Sequence, residues 1–210
     1  MLSETLRECR VLPVITALDV PSTVQLSRTL CASGMRAIEI TLRTAAALDS
    51  IRAVKAEVPE LQVAAGTVTN PRELDLALSA GVDFTVSPGL TKALLQAACD
   101  RKAALVPGVV TASEIMQGLD FGLDCFKLFP AAAVGGMSLL QSLAGPFPGV
   151  SFCPTGGLDA RNFRDYLALS NVVCCGGSWM VAPALVSSGD WDRIAELAAD
   201  AMATDITAAE

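Results

Sequence analysis

Short apolar runs, each followed by a longer stretch with helical spacing and then a turn, recur along the whole chain and leave it very few folds to adopt. The runs are Val11–Thr16, Ala37–Thr41, Gln62–Ala65, Asp83–Val86, Ala104–Val106, Leu123–Lys127, Val150–Cys153 and Val172–Cys175. Their starts lie roughly 20–26 residues apart, the length of one strand, one helix and two short loops. Asp19-Val20-Pro21-Ser22 and Asn70-Pro71-Arg72-Glu73 read as capped helix starts with an early proline, and Gly34 and Gly81 stand where helices stop. Leu74, Ala77 and Leu78 fall at three- and four-residue intervals, giving one apolar face to lay on a sheet. Eight such units predict an α/β fold closed into a (β/α)8 TIM barrel, with Met1–Arg10 as an extra N-terminal helix across its bottom. A doubly wound open sheet is the rival, and no G-x-G-x-x-G follows the first strand to support it. With 210 residues and no Pro-, Ser- or charge-rich linker, the expectation is a single domain over residues 1–210.

No histidine occurs in the chain. Imidazole-ligated metal sites, Ser-His and Cys-His nucleophile pairs and histidine acid-base catalysis are excluded with it, so proton transfer falls to Asp, Glu, Lys, Tyr, Cys or water. The net charge of −7, without a basic stripe or interleaved aromatics and arginines, disfavours nucleic acid and anionic membrane surfaces as partners. A small anionic substrate in a local cationic pocket is compatible with it. No segment approaches the about 20 apolar residues of a membrane span, and the first ten residues are charged where a signal peptide is apolar, which predicts a cytoplasmic protein. The seven cysteines form no C-x-x-C pair and mostly sit in apolar runs, as at Cys125, Cys153, Cys174 and Cys175, where they read as small reduced core residues.

In such a barrel the chemistry lies at the C-terminal ends of the strands. Phe126-Lys127-Leu128-Phe129-Pro130 sets one amine inside an apolar run at such an end. Desolvation there favours the neutral amine, which can attack a carbonyl and form an imine. The plain alternative is a lysine whose stem packs on the core while its head reaches water. On the second strand, alternation puts Glu39, Thr41 and Arg43 on one face and Ile38, Ile40 and Leu42 on the other. The aliphatic face meets the helices, so the charged face looks inward, where Glu39 and Arg43 either pair with each other or meet Lys127. Two glycine-rich turns, Thr155-Gly156-Gly157 and Gly176-Gly177-Ser178, follow the last two strands, where barrels of this kind bind phosphate on backbone N–H groups at a short helix such as Ser178–Val181. Gly66-Thr67 and Ser87-Pro88-Gly89 complete the ring; Thr67 suits either a carboxylate ligand or helix capping, and Pro107-Gly108 reads as a turn.

Taken together, Glu39-Ile40-Thr41-Leu42-Arg43-Thr44, Ala65-Gly66-Thr67-Val68, Val86-Ser87-Pro88-Gly89, Val106-Pro107-Gly108-Val109, Phe126-Lys127-Leu128-Phe129-Pro130, Phe152-Cys153-Pro154-Thr155-Gly156-Gly157 and Gly176-Gly177-Ser178-Trp179 resemble the bacterial 2-dehydro-3-deoxy-phosphogluconate aldolases, often also active on 4-hydroxy-2-oxoglutarate. The resemblance runs in order from Val11 to Trp191. It implies a class I aldolase, free of metal and of any cofactor beyond the covalent imine, acting on a phosphorylated 2-keto acid and assembled as a homotrimer. It implies Lys127 as the Schiff-base residue and Glu39 as acid and base. Arg43 and Thr67 would hold the substrate carboxylate, Pro88, Phe129 and Thr155 would shape the pocket, and Gly156, Gly157, Gly177 and Ser178 would receive the phosphate. The chain departs from the family pattern at Ala132 and Val134, which bears on substrate preference. An aldolase of the same mechanism preferring the galactonate epimer or the unphosphorylated acid, and a non-catalytic phosphosugar-acid binder, are the other readings.

Overall fold

The computed structural model describes residues 2–203. Helix α1 (Leu2–Cys9) precedes strand β1 (Val11–Ile15), and from there strands and helices alternate: α2 (Val20–Ala32), β2 (Ala37–Thr41), α3 (Ala47–Glu57), β3 (Gln62–Gly66), α4 (Pro71–Ser79), β4 (Phe84–Val86), α5 (Lys92–Arg101), β5 (Leu105–Val106) and β6 (Gly108–Val109). The series continues with α6 (Ala112–Asp120), β7 (Cys125–Leu128), α7 (Gly136–Ala144), β8 (Ser151–Pro154), α8 (Phe163–Leu167), β9 (Cys175–Gly177), α9 (Pro183–Ser188) and α10 (Trp191–Met202). The expected N-terminal helix began at Met1, which lies outside the described residues.

Local chemistry sets the helix ends. The carboxylate of Asp19 accepts from the Ser22 N–H at 2.8 Å, and the Asn70 side chain accepts from the Glu73 N–H at 3.0 Å, each ahead of a first-turn proline. Gly34 and Gly81 follow the last turns of α2 and α4 at φ 94° and 87°, a region that a residue with a Cβ enters at a cost.

All strand pairings are parallel, in an α/β fold whose sheet curls into a half-barrel. Six strands run β5-β4-β3-β2-β1-β9, and three run β6-β7-β8. Isolated bridges, Phe152 to Val172 and Thr155 to Gly176, link the β8 segment to the β9 segment. Between β5 and β6 stands Pro107, which has no N–H to give the ladder but whose carbonyl accepts from the Lys127 N–H at 2.9 Å. The expected Pro107-Gly108 turn is therefore corrected: Gly108 and Val109 pair with Lys127 and Leu128, and the proline interrupts a strand path rather than reversing it.

Two further boundaries move for one reason. Leu123 and Val172 donate their N–H groups back to Gly118 and Leu169, so both close the preceding turn, and the strands begin later, at Cys125 and Cys175. Gly176 and Gly177 accordingly belong to β9, in register with Leu12 and Pro13, and not to a turn.

Alternation sorts the side chains into two cores. Ile38, Ile40, Phe126, Leu128 and Phe152 are fully buried between strands and helices. A second, inner cluster joins Leu6 and Cys9 of α1 to Leu12, Ala37, Ala64, Phe84, Val86, Val106, Cys125, Cys153, Val173 and Cys174. This inner cluster lies beneath Glu39 and Lys127, which share a small apolar pocket with Leu6, Leu12, Phe84, Val86, Val106 and Cys153.

Candidate active site

Lys127 reaches the inner face because it shares the parity of Cys125 and Phe129 on β7, while Phe126 and Leu128 take the helix side. It is only 6 % exposed, and Glu39 on β2 is 1 % exposed. The Lys127 amine donates to Glu39 Oε1 at 3.2 Å and to Oε2 at 3.3 Å, and it lies 5.3 Å from the centroid of the Phe129 ring. A buried amine and a buried carboxylate thus compensate each other, and the alternative of a lysine head reaching water does not hold. Gly66 makes room for this pair: a Cβ on it would collide with the Glu39 carboxylate.

Arg43 does not pair with Glu39. Its Nε donates to the Thr41 hydroxyl at 3.0 Å and its Nη2 to the Thr16 hydroxyl at 2.9 Å, at the mouth of the same cavity. The Thr41 hydroxyl in turn donates to the Ile15 carbonyl at 2.9 Å, so adjacent strand ends brace the guanidinium. Thr67 has φ 61° and lines the cavity, while Asn70 caps α4, which removes helix capping as its role.

The cavity is a cleft of about 200 Å³ that opens to solvent. Around it the structure brings together all the residues to which the resemblance gives a role: Glu39, Arg43, Thr67, Pro88, Lys127, Phe129, Thr155, Gly156, Gly157, Gly177 and Ser178. Four more residues line it: Val14 and Leu158, which the sequence did not point to, and Thr41 and Gly176, which it placed on the inward face and in the second glycine-rich turn without giving them a role of their own. Thr41 was legible from its parity with Glu39, and period-two alternation along β1 gives Val14 the parity of Thr16; Leu158 follows a glycine turn that carries no such signal. At the glycine end, Gly156 and Gly157 have φ 97° and 81°, and their N–H groups make no hydrogen bond among the described residues. No cationic side chain lines that end; the cations of the cleft are Lys127 and Arg43. Ala132 abuts Gly157, so one of the two departures from the family pattern borders the glycine turn. Among the described residues no cluster of His, Cys, Asp or Glu is arranged to hold a metal ion.

The profile of the KDPG and KHG aldolase family matches residues 2–197. This chain belongs to that family. It is 50% identical over 192 residues to the KHG/KDPG aldolase of Escherichia coli (strain K12), covering 91% of this chain and 90% of that one. Among solved structures, the KDPG aldolase of Legionella pneumophila, with pyruvate captured at low pH as a covalent carbinolamine intermediate, superposes with a TM-score of 0.94 at 37% identity, covering 97% of this chain and 98% of that one. The 2-keto-3-deoxy-6-phosphogluconate aldolase of Zymomonas mobilis ZM4, with 3-phosphoglycerate, gives a TM-score of 0.92 at 42% identity, over 99% and 97% of the two chains. Family membership makes this chain an aldolase, a carbon–carbon lyase.

Proposed function

We propose that the protein cleaves 2-dehydro-3-deoxy-6-phospho-D-gluconate to pyruvate and D-glyceraldehyde 3-phosphate, and 4-hydroxy-2-oxoglutarate to pyruvate and glyoxylate. The observation that carries this reading is the buried Lys127–Glu39 pair at 3.2–3.3 Å, facing the same cleft as an arginine free of any carboxylate partner among the described residues. Neutral Lys127 attacks C2 of the keto acid, and Glu39 supplies the proton with which the C2 oxygen leaves as water, giving an iminium. Glu39 then takes the C4 hydroxyl proton while the C3–C4 bond breaks; its electron pair passes into the iminium, which becomes an enamine as the aldehyde departs. Protonation at C3 and hydrolysis of the imine release pyruvate and restore the amine. Arg43 and Thr67 hold the carboxylate, Pro88, Phe129 and Thr155 shape the pocket, and Gly156, Gly157, Gly177 and Ser178 receive the phosphate on backbone N–H groups and a hydroxyl.

The test is reductive trapping. Borohydride added with pyruvate fixes a covalent mass on Lys127, and Lys127→Met takes up none. Glu39→Gln lowers kcat by about 10²–10⁴-fold, the usual cost of a lost general base. An unlabelled protein, or full turnover by Lys127→Met, overturns the assignment. Pyruvate release coupled to lactate dehydrogenase, compared across the two substrates, ranks them by kcat/KM.

The same reading includes a closed eight-stave barrel floored by α1, supported by the bridges across β8 and β9 and by the Pro107 carbonyl bond to β7. It also includes a homotrimer, for which light scattering should return three times the chain mass, and residence in the cytoplasm.

A further inference from the structure

Arg43 is exposed in an acidic protein, yet its guanidinium is held without a carboxylate. Both of its acceptors are neutral hydroxyls, Thr41 Oγ1 at 3.0 Å from Nε and Thr16 Oγ1 at 2.9 Å from Nη2, and it makes no ion pair among the described residues. The one carboxylate lining the cleft, Glu39, is taken by Lys127. The Thr41 hydroxyl spends its proton on the Ile15 carbonyl, which aims its lone pairs at the arginine. A hydroxyl acceptor fixes direction without neutralising charge, whereas an Asp or Glu in the same place would compete with an incoming carboxylate. Two of the three guanidinium nitrogens are thus anchored, from the ends of β1 and β2, and Nη1 has no partner among the described residues.

We infer that Thr16 and Thr41 are positioning residues: they pre-orient the Arg43 guanidinium, undiminished in charge, for the carboxylate of the keto acid, and so set the preference for 2-keto acids over their uncharged analogues. The inference rests on the proposal that Arg43 grips that carboxylate. Neither threonine touches the reacting carbons. Their contribution is to hold the arginine in its binding geometry before substrate arrives.

The experiment is reductive trapping on Lys127 as a function of ligand concentration, with pyruvate and with neutral pyruvamide, for Thr16→Val, Thr41→Val, Thr41→Ser and Arg43→Ala. Thr16→Val is expected to raise the half-saturating pyruvate concentration about tenfold, the scale of one hydrogen bond to a charged group, and to leave pyruvamide labelling unchanged. Thr41→Ser keeps the acceptor and stays close to the parent. Thr41→Val behaves as Thr16→Val; if loss of its bond to Ile15 prevents folding, Thr16→Val and Thr41→Ser still decide the matter. In an Arg43→Ala background Thr16→Val adds nothing further.

Equal penalties for pyruvate and pyruvamide, or a Thr16→Val effect that persists without Arg43, overturn the positioning role while the carboxylate grip stands. An Arg43→Ala protein that binds pyruvate like the parent removes the grip itself, and the positioning role with it.

Discussion

The Lys127 amine and the Glu39 carboxyl lie within hydrogen-bond distance of each other in one cleft, and the residue that lets them meet has no side chain at all. Gly66 has ordinary backbone angles, so alanine is tolerated there by the backbone and forbidden by the neighbouring carboxylate. Gly66→Ala should therefore displace Glu39 and lower kcat by about 10²-fold, the scale set by a misplaced catalytic group. Steady-state kinetics beside a thermal melt would show a rate loss out of proportion to the loss of stability. At this scale the sequence was most informative. Period-two alternation sufficed to put Glu39, Arg43 and Lys127 on inward faces, because a strand offers a side chain only two directions. It could not choose partners. That Glu39 would take the lysine and leave the arginine to Thr16 and Thr41 depends on distances across strands, and no local pattern encodes those.

Helix starts were legible for a similar reason: an Asx residue before a proline satisfies N–H groups within three residues of itself. The capping box of α6 is another such device, in which the Thr111 hydroxyl accepts from the Glu114 N–H and Glu114 accepts from Val110 and Thr111. Thr111→Ala should cost about 1 kcal/mol, read as a lower midpoint in urea. Burial works against the Glu114 carboxylate, but the hydrogen bonds from Val110 and Thr111 outweigh it and hold its carboxyl below the ordinary 4.5. With the folded value the lower one, this stabilisation is present above pH 4.5 and is lost as pH falls through the depressed value. The stability gap between the parent and Glu114→Gln should narrow correspondingly between neutral pH and strong acid. Strand ends were harder to read than helix starts. Leu123 and Val172 are apolar enough for a strand but are claimed by the turn before it, and Pro107 looked like a reversal because its missing N–H is the same signal in a turn and in an interrupted ladder.

Across the molecule, the cysteines report on how the two cores are packed. Cys99 is exposed, Cys31 is half-buried, and Cys9, Cys125, Cys153, Cys174 and Cys175 are buried. Burial pushes the Cys9 thiol up to about 12 and Cys125 and Cys175 upward as well, so none of the three forms the thiolate that reacts near neutral pH. Cys174 is raised by its contact with Cys153, at 3.5 Å between sulfurs, and by burial. A disulfide-exchange dye at pH 8 should therefore label Cys99 fast and Cys31 slowly, and reach the other five only after denaturation. Beneath the Lys127 amine the inner core is packed, with Leu6, Phe84 and Val86 below it. On the proposed mechanism, the fragment bonded to the Lys127 nitrogen would occupy the inner end of the cleft and its sibling the outer half. Departure should then follow a queue, the aldehyde phosphate first and pyruvate last, in ordered uni-bi fashion. Added pyruvate should compete with the keto acid for free enzyme, and added aldehyde phosphate should inhibit noncompetitively.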